Sequence, residues 1–145
     1  MQMPEEKAAS GVAGLDQVLL GGYPRGRVIL IEGMPGTGKT TLALQALVEA
    51  VSRGERALFL SIAQSSEELG TIAGSHGLTL EGIEIFCPEP LSADLEEAIS
   101  VATEASQLDH LLGQSEAKLN GVAPQVFVCD SLLELRLLAG SEVAY

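Results

Sequence analysis

The chain has 145 residues, which is enough for one domain and too few for two domains of ordinary size. Hydrophobic residues make up 46% of it, so a buried core is possible and we do not expect disorder throughout the chain. The formal net charge is −12, and a field of that sign repels the phosphate backbone of nucleic acids. We therefore expect no nucleic-acid partner.

We expect neither a targeting signal nor reactive cysteine chemistry. The first ten residues are polar and acidic, unlike a signal peptide, and no apolar run reaches the roughly 18 residues of a membrane span. Cys87 and Cys129 are too few for a disulfide framework or a zinc site, and apolar neighbours favour a packing role for both. These features predict a cytoplasmic protein that does not cross a membrane.

The first elements follow a polar leader. Residues 1–9 are predicted to be a flexible leader, and residues 10–145 a single domain. The glycine-rich stretch 10–27 holds apolar residues that predict one short helical turn. Residues 28–32 form a run of apolar, mostly β-branched residues ahead of Gly33. Such a run is typical of a strand that is buried on both faces.

Helices and strands then alternate along the chain. Helical spacing of apolar residues predicts a helix over 39–52, and residues 56–61 are predicted to form the second strand. Ser65 and Glu68 have the spacing of a capping box, which predicts a helix start there. Residues 83–86 are predicted to form the third strand.

The last third of the chain repeats this alternation. The longest helical pattern covers 93–112, and residues 113–124 are predicted to be a mobile connector. Residues 125–130 are predicted to form a fourth strand, followed by a short helix that Ser131 and Glu134 can cap. Alternating strands and helices predict an α/β fold with a parallel sheet, which binds ligands at the carboxyl ends of its strands.

One motif predicts a phosphate site. Residues 33–40 match the P-loop pattern G-x-x-x-x-G-K-S/T, and they lie between a predicted strand and a predicted helix, as that motif requires. Glycines allow the loop to turn its backbone N–H groups inward around an anion, and the helix N-terminus adds partial positive charge. The predicted nucleotide-binding residues are Gly33, Pro35, Gly36, Thr37, Gly38, Lys39, Thr40 and Thr41.

Two of these residues and one carboxylate predict a magnesium nucleotide. Lys39 is expected to reach the β- and γ-phosphates, and the Thr40 hydroxyl to bind Mg²⁺. Asp130 ends a hydrophobic strand, where a carboxylate is costly unless it is paired, so we expect it beside Thr40 in the magnesium site. The alternative is that Asp130 caps the following helix.

Several of these segments together resemble a known family. Residues 10–26, the strand and P-loop that follow, residues 58–69 and residues 126–132 are similar to the RecA-type P-loop ATPases of the KaiC-like and RadA-like group. The resemblance implies a RecA-like parallel-sheet core that binds ATP with Mg²⁺. It further implies an ATPase that works as a homo-oligomer. The residues themselves do not distinguish ATP from GTP.

The chain departs from the family pattern at one catalytic position. The resemblance places a catalytic glutamate after the second strand, where this sequence has Gln64. Lys39 and Gln64 are thus the predicted catalytic residues. A neutral amide cannot accept a proton from water, so we expect weak hydrolysis. Two alternatives stay open: Glu67 or Glu68 replaces the missing carboxylate, or the chain is a hydrolysis-deficient regulatory or assembly module.

The second departure is length. The resemblance implies further strands after residue 130, so we expect a core that is incomplete at its C-terminal side and that an oligomer or a protein partner completes. A small-molecule kinase is a third reading, but no arginine-rich lid follows the P-loop. His76 and His110 have no partner at metal-ligand spacing, and both are predicted to lie at helix ends.

Overall fold

A computed structural model describes residues 6–89 and 104–138 of the chain. Near the N-terminus, β1 (Lys7–Ala8) pairs antiparallel with β2 (Tyr23–Pro24), and the short helix α1 (Ala13–Val18) lies between them in sequence. Residues 7 and 8, which the sequence places in the leader, are therefore held by backbone pairing. The sharp return at Gly22 has a φ of 119°, and a Cβ there would lie 2.1 Å from the Ala8 carbonyl oxygen.

The main sheet has three parallel strands. They are β3 (Ala57–Ser61), β4 (Ile83–Phe86) and β5 (Val126–Asp130), in the order β4-β3-β5. The helices that accompany them are α2 (Lys39–Ser52), α3 (Ser66–Ser75), α4 (Glu104–Val122) and α5 (Leu132–Leu138). The predicted α/β fold with a parallel sheet is confirmed, as part of a RecA-like P-loop core.

The hydrophobic core lies between this sheet and the helices α2 and α3. All five residues of β3 are buried, as expected for a central strand covered on both faces. Phe59 is fully buried at the middle of the strand. It belongs to one cluster with buried residues of α2, α3 and β4: Leu44, Leu47, Leu69, Ala73 and Ile83.

Several predicted elements agree closely with the structure. Helix α2 has the predicted bounds, and so does β4. At the start of α3, the Glu68 N–H donates to Ser65 Oγ at 3.2 Å, and the Ser65 N–H donates to Glu68 Oε2 at 2.8 Å. The predicted capping box is therefore confirmed.

The predicted connector over 113–124 is wrong. Residues 113–122 belong to α4, which begins at Glu104, and the predicted start at residue 93 lies outside the described residues. Tertiary contacts support the helix despite Gly113. Lys118 forms an ion pair with Glu84 of β4, and α4 also contacts β3. Packing on the sheet outweighs the low helix propensity of glycine here.

The predicted strand over 28–32 is also not formed as a sheet strand. Its side chains are exposed, with fractions of 98% for Val28, 41% for Ile29, 63% for Leu30 and 36% for Ile31. Within residues 6–89 and 104–138, no strand pairs with this segment. An apolar run forms a buried strand only where a neighbour offers backbone partners and cover, and the described sheet ends at β5 on that side.

An ion pair ties the start of this segment to the core. Arg25 donates to both carboxylate oxygens of Glu55, at 2.8 and 2.7 Å, and Glu55 immediately precedes the β3 region. This contact lowers the pKa of the Glu55 carboxyl and raises that of Arg25. Bidentate geometry makes the pair one of the stronger classes of surface contact.

Among the described helices, none is long and apolar enough to cross a membrane. Cys87 and Cys129 are both free and half-buried, so neither is the fully buried packing residue that its apolar neighbours predict. Burial and the nearby carboxylates of Asp130 and Glu134 raise the pKa of the Cys129 thiol. A thiol in that environment stays protonated at neutral pH and is a poor nucleophile.

Candidate functional site: a phosphate cradle at the start of α2

The loop before α2 uses backbone conformations that only glycine adopts easily. Gly36 and Gly38 have φ values of 80° and 89°, in the left-handed region where a Cβ would cause strain. At Gly33 a Cβ would lie 2.7 Å from Thr37 Oγ1. Three of the predicted phosphate-binding glycines are therefore required by the shape of the loop.

The loop closes on itself through Thr37. Its hydroxyl donates to the Met34 carbonyl at 2.8 Å, and its backbone N–H donates to the same oxygen at 3.3 Å. These bonds form the turn that brings the chain round to the start of α2. The loop is thus a defined turn between residues 33 and 38.

The N-terminus of α2 is open to an anion. Gly38 is the N-cap residue and supplies no side-chain cap, and the first turn holds no acidic residue. The first N–H groups of a helix have no partner within the helix, and the helix dipole places partial positive charge there. Within the described ranges, no hydrogen bond uses the N–H groups of Gly38, Lys39, Thr40 or Thr41. This combination is what a phosphate group requires.

Lys39 lies at the same turn but folds back on the loop. Its Nζ donates to the carbonyl oxygens of Gly33 and Met34, at 2.8 and 3.0 Å. These are neutral acceptors, so an anionic phosphate oxygen is a stronger competitor for the ammonium group. The side chain is therefore positioned within reach of the loop's centre.

Thr40 and Asp130 lie in contact, although 90 positions separate them in sequence. The Thr40 hydroxyl donates to Asp130 Oδ2 at 2.6 Å. The contact exists because α2 packs against β5, which places the first turn of the helix at the carboxyl end of that strand. The Asp130 carboxylate therefore accepts from Thr40 and does not cap α5.

A magnesium ion would fit this pair of side chains. Mg²⁺ is commonly held by one or two protein oxygens together with substrate phosphates and water, and does not need a closed cage of side chains. The described residues contain no cluster of three or more His, Cys, Asp or Glu side chains that could hold a metal alone. Any magnesium at Thr40 and Asp130 would therefore depend on the nucleotide for its remaining ligands.

A cleft of about 510 Å³ opens beside this turn. Seven predicted site residues line it: Gly36, Thr37, Gly38, Lys39, Thr40, Thr41 and Gln64. The predicted residues Gly33, Pro35 and Asp130 do not line the cleft. Asp130 contacts Thr40, which does line it. The cleft therefore gathers most of the predicted nucleotide site.

Sequence reasoning missed four residues of this cleft. Leu42, Gln45, Ile72 and His76 also line it. Gln45 lies one helical turn after Thr41 on α2, so the 3.6-residue period could have found it. Ile72 and His76 come from α3, and only the packing of α3 beside α2 brings them there. His76 is the C-cap of α3, as predicted, whereas His110 lies inside α4 and not at a helix end.

Gln64 lines the cleft and its backbone is fixed. The Ser61 hydroxyl donates to the Gln64 carbonyl at 2.6 Å, and the Cys87 thiol donates to the same oxygen at 3.5 Å. No Asp or Glu is among the residues that line the cleft. The position that sequence assigns to water activation therefore carries a neutral amide.

Neither neighbouring glutamate takes that position. The Glu68 carboxylate is occupied by the capping box, and the hydrogen bond from the Ser65 backbone lowers its pKa. Glu67 is exposed on the first turn of α3 and does not line the cleft. Both glutamates act at the start of a helix, where negative charge is favourable.

A glycine-containing loop that leads into a helix, an open helix N-terminus, and a hydroxyl–carboxylate pair at the end of a parallel strand are typical of one class of protein. The class is the P-loop nucleotide-binding proteins.

The family within that class follows from comparison with known proteins. The model of the family described as "ATPase: KaiC" matches residues 8–144, nearly the whole chain. The chain belongs to this KaiC ATPase family, and nucleotide binding in general is a property of that family.

The chain is similar to several proteins named "Circadian clock oscillator protein KaiC". It is 36% identical to the one from Picosynechococcus over 101 residues, which cover 66% of this chain and 20% of that protein. It is 30% identical to the one from Prochlorococcus marinus over 135 residues, which cover 89% of this chain and 24% of that protein. The chain thus spans about a fifth to a quarter of these relatives.

Proposed function

We propose that the chain binds ATP together with Mg²⁺ in the cradle formed by residues 33–41. The observation that carries the proposal is the junction of an uncapped helix N-terminus with the Thr40–Asp130 contact at 2.6 Å. The first feature suits phosphate, and the second suits a divalent ion bound to that phosphate. Membership of the KaiC ATPase family favours ATP as the nucleotide.

Each residue would then have a distinct role. The N–H groups of residues 38–41 would donate to phosphate oxygens, and the Lys39 ammonium would exchange the Gly33 and Met34 carbonyls for the β- and γ-phosphates. Thr40 and Asp130 would hold the magnesium shell. Gln64, from the far wall of the cleft, would hold a water molecule without accepting its proton.

The direct test is equilibrium binding of a fluorescent ATP analogue with Mg²⁺. A hydrogen bond to a charged group contributes about 1.5–3 kcal/mol, so Lys39→Ala should weaken binding roughly 10- to 100-fold. Arg53→Ala is the matched control, because it removes a cation from the far end of the same helix. Equal affinity in wild type, control and Lys39→Ala would contradict the proposal.

A second candidate function is a regulatory or assembly module that binds ATP without turning it over. The absence of a carboxylate among the residues that line the cleft favours it. Steady-state phosphate release separates the two: slow release that disappears in Asp130→Ala supports a weak ATPase, whereas tight binding without release supports the module. Gln64→Glu should raise release at least about 10-fold, since general-base catalysis contributes roughly 10²- to 10⁴-fold.

The remaining proposals concern the location of the protein, the extent of its domain and its association with other chains. We propose a cytoplasmic protein in which residues 10–145 act as one unit, with residues 7 and 8 joined to it through β1, and which joins copies of itself or a completing protein partner. The exposed apolar side chains of residues 28–31 support association. Light scattering with and without ATP and Mg²⁺ measures it, and a monomer under both conditions, at concentrations up to the millimolar range, would contradict the homo-oligomer.

A further inference from the structure

A glutamine of α4 holds the segment that follows β4. Gln114 Oε1 accepts from the Glu89 N–H at 3.2 Å, and Gln114 Nε2 donates to the Glu89 carbonyl at 3.0 Å. The amide thus offers one acceptor and one donor to the backbone of a single residue, as a neighbouring strand would. Glu89 lies beyond the end of β4 and has no other described backbone hydrogen bond. Gln114 therefore supplies the pairing that holds this segment.

The remaining N–H of the same amide meets His110, one turn earlier on α4. The two nitrogen atoms, Gln114 Nε2 and His110 Nε2, are 2.6 Å apart. An amide nitrogen donates and does not accept, so the ring nitrogen has to be the acceptor. The two bonds to Glu89 fix which end of the amide is nitrogen, because the opposite orientation would set donor against donor. His110 is therefore neutral in this arrangement, with its proton on Nδ1.

A protonated His110 is incompatible with these contacts. An imidazolium has an N–H at both ring nitrogens, so two donors would lie 2.6 Å apart. Turning the amide over would relieve that repulsion but would break both bonds to Glu89. Histidine is the side chain that gains a proton as the pH falls from about 8 to about 5. The bonds to Glu89 are thus present at the upper end of that range and lost at the lower end.

No ionisable side chain replaces the amide beside His110. The ionisable groups on α4 and on the described elements next to it are Glu84, Cys87, Glu89, Asp109, Glu116, Lys118, Glu134 and Arg136. Glu84 and Lys118 are paired with each other. Among the described contacts, no hydrogen bond or ion pair joins the His110 ring to any of these groups. The proton on His110 therefore acts on the segment through Gln114.

The segment held by Gln114 contacts the wall of the cleft. The Cys87 thiol donates to the Gln64 carbonyl at 3.5 Å, and Gln64 lines the cleft. Only Pro88 separates Cys87 from Glu89. Proline fixes its own φ and restricts the residue before it to extended conformations, so these three residues form a stiff connection. A continuous set of contacts therefore runs from His110 to Gln64.

We propose that His110 and Gln114 form a proton-sensitive clip that positions Gln64 in the wall of the cleft. The clip is closed while the imidazole is neutral and opens when the imidazole is protonated. Gln114 is a positioning residue, because it does not line the cleft and acts on Gln64 through Glu89 and Cys87. The clip is a property of the chain without nucleotide, and only its effect on turnover rests on the proposed function.

NMR of the full chain without nucleotide tests the clip. At pH 8, long-range proton–nitrogen correlation should find the His110 ring with its proton on Nδ1 and none on Nε2. Between pH 8 and pH 5.5, protection of the Glu89 amide from exchange, corrected for the intrinsic rate, should fall roughly 10-fold. That is the factor that neutral hydrogen bonds of ordinary strength supply. The Gln64 amide signal should shift with the same midpoint as the His110 ring.

Substitutions at the clip should alter this response in different ways. Gln114→Glu keeps an acceptor for the Glu89 N–H and offers a negative charge to protonated His110. Protection of Glu89 should then rise between pH 8 and pH 5.5 instead of falling. His110→Ala removes the titrating group, so protection should be the same at both pH values. His76→Ala removes the chain's other histidine and is the matched control, which should respond as the wild type does.

A further variant tests the connection to the cleft. Cys87→Ala removes the thiol that contacts Gln64. The Gln64 amide should then stop following the titration, while Glu89 still responds. Circular dichroism at both pH values establishes that each variant is folded, and the measurements on the wild-type chain stand without any variant.

Four results would overturn the proposal. A His110 ring with its proton on Nε2 at pH 8, or a Glu89 amide whose protection is independent of pH, would rule out the clip. A wild-type response that persists in His110→Ala would assign the titration to another group. A Gln64 amide that does not follow His110 in the wild-type chain would rule out the positioning role.

Discussion

β3 and residues 28–32 are both short apolar runs, but they differ in burial. Every residue of β3 is buried, whereas Val28 is 98% exposed. Strand propensity does not explain the difference, because the second run is richer in β-branched residues. The difference lies in neighbours: β3 has a strand on each side, and residues 28–32 have none in the described part of the chain.

The same contrast divides the proposed phosphate site. Asp130 and Gln64 come from the ordered sheet and its following loop, and Thr40 is fixed by a helix that packs on that sheet. Gly33 instead follows the unpaired segment, and Lys39 is its described hydrogen-bond partner. The carboxylate side of the site is therefore built on the core, and the loop side depends on what holds residues 28–32.

The largest expected effect in testing this comparison comes from truncating one side chain in each run to alanine. Phe59→Ala should lower the free energy of unfolding by about 3–5 kcal/mol, since it removes a fully buried ring. Leu30→Ala should cost less than about 0.5 kcal/mol, because most of that side chain is exposed. Urea denaturation measures both, and equal losses would show that the segment is packed as tightly as β3.

The Arg25–Glu55 pair, which joins the two regions, gives the next largest effect. Glu55→Gln should cost about 1.5–3 kcal/mol at pH 7, the range for hydrogen bonds to charged groups. It should also speed amide exchange across residues 28–31. Arg53→Ala, which breaks an exposed ion pair with Glu49, is the control and should cost less than about 1 kcal/mol.

The pH dependence of this pair has a definite sign. Hydrogen bonding to Arg25 lowers the pKa of the Glu55 carboxyl from its ordinary value of 4.5. The pair's contribution is therefore complete above about pH 4.5, and it is lost as pH falls through the lower pKa of the folded state. The stability difference between wild type and Glu55→Gln should shrink below that pH. A stability difference between wild type and Glu55→Gln that grows as the pH falls would contradict a lowered pKa of Glu55.

The smallest expected effect is the loss of stability when the N-cap of α3 is removed. Ser65→Ala removes the N-cap of α3 and should cost about 1 kcal/mol. Ser66→Ala, at the next position, is the matched control and should be nearly neutral. Exchange within 28–31 should stay unchanged in both variants. Faster exchange there would show that the two regions are coupled more strongly than their contacts indicate.

Local signals in the sequence predicted what local physics determines. The P-loop pattern located the loop that contains Gly36 and Gly38, whose φ values are positive, and the Ser65–Glu68 spacing located a capping box that forms as expected. The pairing of Thr40 with Asp130 was predicted over 90 positions because a carboxylate that ends a hydrophobic strand needs a partner, and the magnesium site of the P-loop offers one.

Features that depend on tertiary neighbours were not predictable in this way. Gly113 signalled a helix end, but contacts such as Lys118 with Glu84 continue α4 through it. The run over 28–32 signalled a strand, but no partner strand is described beside it. Ile72 and His76 reach the cleft only through the packing of α3. In each case the deciding contact lies far away in sequence.

The central claim is that the turn at residues 36–41 binds the phosphates of a magnesium nucleotide. Two-dimensional amide NMR during titration with a non-hydrolysable ATP analogue and Mg²⁺ tests it most directly. The account predicts that the largest shift changes occur at the N–H groups of Gly36, Gly38, Lys39, Thr40 and Thr41, and that they require Mg²⁺ for full size. Largest changes elsewhere in the chain, or none at saturating analogue, would contradict it.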